Sequence, residues 1–315
     1  MAEKVAEEIF GEFGWIRVGP VNQNWLCTTE KHERKTHPSD VVFYYDDPYN
    51  PERVFWNVDL KSYAAGTITK SKLADAVGAL AQSVECANVS AGWQQLYGDD
   101  ENNWRCDGML FVYNHDGEFD RSFGSIVDGM DPTLFRLPPK RRLALIGPED
   151  VSYMVNVAHD FVLLRGRKLL PADAAATEFW YPDLVRPKKR TQARSALTIE
   201  ALTGPWITLH VPPQYNEGRR KYVVYYREKG DTVEEFQYLI DSFFRFQMLA
   251  VDGDEIEVRL VQPLPAAVSN FEKAKTRIGT TLYGLAAKRL APVTCKSVTD
   301  VVKRFSELEI GMEPR

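Results

Sequence analysis

Residues 38–63 read PSDVVFYYDDPYNPERVFWNVDLKSY. Two runs within it, Val41-Val42-Phe43-Tyr44-Tyr45 and Val54-Phe55-Trp56-Asn57-Val58, are β-branched and aromatic, and Asp, Pro and Asn dominate the segment between them. Strand formers interrupted by turn formers predict a β-hairpin. With a loop from Asp46 to Arg53, Tyr45 faces Val54, and counting back along both arms sets Asp40 opposite Asp59. Opposed side chains in an antiparallel pair have Cβ atoms about 5 Å apart, close enough for two carboxylates to share a cation. Alternation puts Lys61 on the same face as Asp59. Val41, Phe43, Tyr45, Val54, Trp56, Val58 and Leu60 then form the opposite, apolar face. One register thus predicts a dry face and a charged triplet together.

Asp is disfavoured inside strands, so its presence there needs a chemical reason. Two unpaired carboxylates side by side repel, and one tends to stay protonated. A hard divalent cation such as Mg²⁺, which prefers oxygen ligands and keeps several waters, removes that penalty. Such an ion polarises a phosphoryl oxygen and lowers the pKa of a bound water. An ammonium beside it orients that water and offsets charge developing on the phosphate. The chemistry suited to this triplet is phosphodiester hydrolysis; the bland alternative is a surface hairpin with solvated charges.

Pro38-Ser39-Asp40, the eighteen residues 41–58, and Asp59-Leu60-Lys61 resemble the motif of the PD-(D/E)xK nuclease superfamily, which includes restriction endonucleases, RecB-type nucleases and junction resolvases. The match departs from the pattern by one residue, Ser39, inserted between the Pro and the Asp. The resemblance runs from Glu3 to about Tyr113. It implies an α/β fold with a restriction-endonuclease-like mixed sheet flanked by helices. It also implies Asp40, Asp59 and Lys61 as catalytic residues, Mg²⁺ or Mn²⁺ as cofactor and DNA as substrate. In the superfamily an acid on the first helix often completes the metal shell. Glu3, followed by Ala6, Phe10, Phe13 and Gly14-Trp15, has a similar spacing, with Glu7, Glu8 and Glu12 as rivals. Gln82 resembles a polar residue that RecB-like members place on the helix after the lysine; a plain surface Gln is the other reading.

Residues 2–13 fit an amphipathic helix ended by Gly14, and Trp15–Val18 fits a short strand. Thr28 to Lys35 is polar and reads as a surface loop in which His32, and His37 beyond it, are exposed. A helix follows from about Ser71 to Cys86 with Leu73, Val77, Leu80, Ala81 and Val84 inward. Lys70 and Lys72 at its entrance suit a phosphate contact. Gly108–Tyr113 is a buried strand, and Leu143–Ile146 is a strand leading into a helix. No Gly-rich phosphate loop is present.

A chain of 315 residues suggests two domains: a nuclease-like domain over 1–181, a basic linker over 182–200 containing Arg186-Pro187-Lys188-Lys189-Arg190, and a C-terminal α/β interaction domain over 201–315. The last shows strands at Trp206–Val211, Tyr222–Tyr226 and Glu255–Val261, and an aromatic helix from Val233 to Leu249. Further helices are expected near 270–286 and 297–308. The aromatic helix implies deep burial or a surface for a second subunit or another copy of the chain.

The net charge of −5 restricts any nucleic-acid contact to local basic clusters such as Lys140-Arg141-Arg142 and Arg219-Arg220-Lys221. Cys27, Cys86, Cys106 and Cys295 are scattered without a CxxC pair, which argues against zinc and disulfides and for a reducing cytoplasm. No apolar run is long enough to span a membrane, and the acidic start Met1-Ala2-Glu3-Lys4 is unlike a secretory signal. Two functions fit: a metal-dependent nuclease, of the kind that serves bacterial restriction or anti-phage defence, or a non-cleaving scaffold that holds DNA or a partner on a nuclease-like fold.

Overall fold

The hairpin sits at the centre of a five-stranded sheet. In the computed structural model, which describes residues 2–99, 103–183 and 195–298, the chain divides between Met154 and Val155 into two compact units. The first unit begins with helix α1 (Ala2–Glu12) and strands β1 (Ile16–Val18), β2 (Gln23–Leu26), β3 (Thr36–Ser39), β4 (Val41–Asp46) and β5 (Arg53–Tyr63). It continues with α2 (Lys70–Ala87), α3 (Ala91–Tyr97), β6 (Trp104–Asn114), α4 (Phe123–Asp128), β7 (Leu143–Ile146) and the start of α5 (Pro148–Gly166). The sheet order is β1-β4-β5-β6-β7, antiparallel at β1–β4 and β4–β5 and parallel at β5–β6 and β6–β7. Strands β2 and β3 make a separate two-stranded ribbon.

Tyr45 pairs with Val54 and Val41 with Val58, the register predicted from the turn chemistry. The faces differ from expectation in one respect. The apolar face is dry as foreseen: Phe10 packs on Phe43 with ring centroids 5.2 Å apart, and Trp15 lies 4.8 Å from Tyr45 and 6.0 Å from Trp56. The face bearing Asp59 is covered as well. Phe55 packs edge-on against Trp93 of α3 at 5.9 Å, and the Asn57 amide donates to Ser83 Oγ of α2 at 2.8 Å. A strand order with parallel crossovers puts helices on both faces, so the charged residues emerge only at one end of the sheet.

Helix α2 seats closely because Gly108 lies beneath it. A Cβ built there would fall 2.6 Å from Val84 Cγ2 and 2.7 Å from Leu143 Cδ2. Thr69 caps the helix, its side chain accepting from the Lys72 N–H.

The second unit contains β8 (Glu178–Phe179), α6 (Ile199–Leu202), β9 (Trp206–Val211), β10 (Lys221–Tyr226), α7 (Val233–Arg245), β11 (Glu255–Leu260), α8 (Ala267–Thr281), α9 (Leu285–Leu290) and β12 (Val293–Ser297). Its sheet runs β12-β11-β10-β9-β8. Two expected boundaries move. The chain has joined this sheet before residue 181, because Phe179 pairs with Leu209, and the Tyr181 hydroxyl donates to the Ala196 carbonyl at 2.7 Å. The aromatic helix ends at Arg245, four residues before Leu249. Phe236, Leu239, Ile240 and Phe243 are buried while Tyr238 is exposed, so one face of that helix is core. Near the end, the stretch expected to start a helix at 297 closes the strand β12 instead, and residues 299–308 lie outside the described residues, as does most of the basic linker.

Buried ions cross the second sheet. Asp160 accepts from the Tyr225 hydroxyl and the Arg259 guanidinium, and Arg259 also donates to Glu257 at 2.7 Å. Lys221 and Lys296 each reach Glu257 at 2.8 Å, and together these cations hold its carboxyl down at about 2 against the burial that raises it. The Arg219-Arg220-Lys221 cluster is likewise spent on acids, with Arg220 on Asp254 and Arg219 on Glu255.

Substituting Gly108→Ala overpacks the α2–sheet contact and lowers stability by about 1–3 kcal/mol. A reduced midpoint for the first unit in chemical denaturation checks this; an unchanged midpoint would mean that α2 backs away freely.

Candidate active site

Strand β4 stops pairing at Val41, whereas β5 continues to Tyr63 against β6. Past Val58, β5 therefore has open backbone on one side. Asp40, at the bend between β3 and β4, fills that opening: its Oδ2 accepts the Leu60 N–H at 2.8 Å. The bond turns the first carboxylate toward β5, within hydrogen-bonding reach of Asp59. Lys61, two residues along the same face, donates Nζ to Asp59 Oδ1. Both side chains are partly exposed, Asp59 at 19% and Lys61 at 29%, so the cluster is sheltered yet open to a ligand.

Electrostatics follow from this placement. Burial pushes the Asp59 carboxyl above its ordinary range, the Lys61 ammonium pulls it back, and neighbouring Asp40 adds to the rise. For Lys61, burial pulls downward, but the hydrogen bond and charge of Asp59, with Asp40 behind it, outweigh that and leave the ammonium favoured. The cluster thus holds two carboxylates whose joint ionisation is penalised and one cation that stays protonated. All-oxygen donors with excess negative charge suit a hard divalent cation, so the residues fit Mg²⁺ or Mn²⁺.

Glu3 sits on α1, which packs over the sheet's opposite face through Phe10 on Phe43 and Phe111. It lies about two turns before Phe10, roughly 10 Å along the helix at about 1.5 Å per residue. No hydrogen bond or ion pair joins it to Asp40, Asp59 or Lys61 among the described residues. Gln82, half-buried on α2, has a buried Oε1 with no hydrogen-bond partner among the described residues. At the rim, Lys72 lies over the Tyr63 ring at 5.5 Å and Lys70 is exposed. Arg142, of the Lys140-Arg141-Arg142 cluster, is paired with the buried Asp107 at 2.9 Å.

Two expectations about the polar loop are overturned. His32 and His37 are 6% and 0% exposed, because the turn Glu30–His32 and strand β3 fold back against α2. Cys27 and Cys86, far apart in sequence, come within 3.7 Å of each other at Sγ. Sequence spacing carried no signal for this grouping, since α2 supplies its last member.

A mixed sheet flanked by helices, with two acids and a lysine where two strands part, defines a PD-(D/E)xK nuclease-type domain. The comparison with known families agrees: residues 1–150 match the model described as the GAPS4 protein PD-(D/E)XK nuclease domain, and this part of the chain is a member of that superfamily. No curated protein and no solved structure gives a significant match.

The raised Asp59 carboxyl sets a pH dependence. Its folded value lies above its unfolded one, so the metal-free protein loses stability as pH rises through the folded value. A divalent cation held by Asp59 would need the ionised form, so any stabilising effect of Mg²⁺ there would appear above that value and fade below it, at a higher pH than for an ordinary Asp. Thermal melts with and without Mg²⁺ across a pH series check this; a Mg²⁺ effect that persists in Asp59→Asn would place the ion elsewhere.

Proposed function

We propose that the first unit is a metal-dependent nuclease that hydrolyses DNA phosphodiester bonds at Asp40, Asp59 and Lys61. The observation that carries this reading is the meeting of two carboxylates and an ammonium where β4 and β5 separate. Asp40 and Asp59 would hold Mg²⁺ or Mn²⁺, with Glu3 as a third carboxylate from the far side of the sheet. The ion, when bound, polarises the phosphate and acidifies a coordinated water.

The chain's own residues do the rest. Lys61, kept charged by its acids, orients the attacking water by hydrogen bonding and offsets negative charge on the phosphate. The Leu60 N–H fixes the Asp40 carboxylate in place, so little reorganisation is needed as the phosphorus–oxygen bond breaks. Lys70 and Lys72, at the N-terminus of α2 beside Tyr63, suit the phosphates flanking the scissile one. The second unit is read as the docking element for a partner subunit or another copy; exposed Tyr238, Tyr283 and Leu285 support that. A nuclease domain joined to such a unit fits a role in bacterial restriction or anti-phage defence.

Incubation with linear and circular DNA, and with RNA, in Mg²⁺, Mn²⁺ or EDTA tests the activity. Cutting is expected only with metal, and Asp59→Ala or Lys61→Ala should reduce it by roughly 10²-fold or more. DNA retained but never cut would favour a scaffold. For the defence role, cells expressing the wild-type chain should plate phage less efficiently than cells expressing Asp59→Ala, in the presence of any partner gene; equal plating removes that role.

A further inference from the structure

We propose that Cys27, His32, His37 and Cys86 form a structural zinc site that clips the β2–β3 ribbon to α2. Their four donor atoms all lie within 4.8 Å of one another. Cys27 Sγ is 3.7 Å from Cys86 Sγ and 3.5 Å from His32 Nδ1, and Cys86 Sγ is 3.4 Å from the same nitrogen. Around tetrahedral zinc, with bonds near 2.3 Å to sulfur and 2.0–2.1 Å to nitrogen, the S···S edge is about 3.8 Å and the S···N edge about 3.5 Å. Three of the four ligands already stand at those separations. A disulfide is a different geometry, with sulfurs about 2.05 Å apart, and both cysteines are free.

His37 gives an independent reason. It is fully buried, and neither ring nitrogen has a hydrogen-bond partner among the described residues. Buried polar atoms are nearly always satisfied, and an orphan asks for an ion or ligand. A metal at the centre of the cluster takes one of those nitrogens.

The surroundings are arranged as an outer layer for such a site. Glu85 accepts from His32 Nε2 at 3.3 Å, which leaves Nδ1 free of its proton to coordinate. A carboxylate behind a ligating histidine fixes its tautomer and orientation. The Thr29 N–H donates to Cys27 Sγ at 3.5 Å, while in the metal-free chain the Cys27 thiol donates to the Thr29 carbonyl at 3.3 Å and the Cys86 thiol to the Thr29 hydroxyl at 3.5 Å. Glu33, in the left-handed conformation at φ 51°, turns the chain from the Glu30–His32 turn back toward β3.

Four protein ligands and no open position make the site structural, not catalytic. Its position also ties it to the acid cluster, since His37 lies in the strand that ends at Ser39, immediately before Asp40. The clip therefore fixes the approach of the first acid to β5.

The test uses the full chain, purified without chelators, and measures bound zinc by mass spectrometry. About one zinc per chain is expected in wild type, in Asp59→Ala and in Cys106→Ser, and background levels in Cys27→Ser/Cys86→Ser and in His37→Ala. Should the variants fail to fold, wild-type protein stripped and refilled with Co²⁺ should show the strong visible bands of tetrahedral cobalt with thiolate charge-transfer bands. Zinc that survives loss of both cysteines, zinc lost in Asp59→Ala, an octahedral cobalt spectrum, or a Cys27–Cys86 disulfide in zinc-free protein would each overturn the proposal. None of these outcomes depends on whether DNA is cut.

Discussion

Two like charges held together at the end of a sheet are the constraint from which the first unit is built. Asp40 and Asp59 would separate if left to themselves. They stay close because β4 and β5 are zipped in one register by buried aromatics on both faces, and because the Leu60 N–H anchors the Asp40 carboxylate. The hydrophobic energy of Phe10, Trp15, Phe43, Phe55, Trp56 and Trp93 thus holds an electrostatically unfavourable arrangement that a divalent cation, bound as proposed, would relieve. A register slip by one residue would turn every one of these strand side chains to the other face, destroying core and site together.

The open backbone past Val58 is the second device. A strand that kept its partner to the end would leave no room for a ligand. By pairing β5 with β6 along its whole length and with β4 only as far as Val58, the fold keeps β5 rigid while exposing Asp59 and Lys61. Rigid backbone under a partly exposed charged cluster is what a preorganised site requires.

The two units handle charge differently. In the second, the acids are matched by cations: Asp160 and Glu257 meet Arg259, Lys221 and Lys296 in one network. Such networks are costly to break but do no chemistry on an external phosphate. In the first, Asp40, Asp59 and Lys61 are left with an excess of negative charge.

Much of this was legible in the residues themselves. Helices α1 and α2, strands β1 and β4 to β7, the hairpin register, and the nearness of Asp40 and Lys61 to Asp59 follow from local alternation and turn chemistry, because β4 and β5 are joined by a short loop; strands β2 and β3 and helices α3 and α4 were not read from the residues. What lay beyond local reading depended on contacts distant in sequence. The covering of the charged face by α2 and α3, the passage of Phe179 into the second sheet and the burial of His32 and His37 belong here. So does the meeting of Cys27 with Cys86. Adjacent strands constrain each other through a short loop, so their geometry is written into spacing; residues brought together across helix α2 share no period or interval, and only the folded chain decides that they meet.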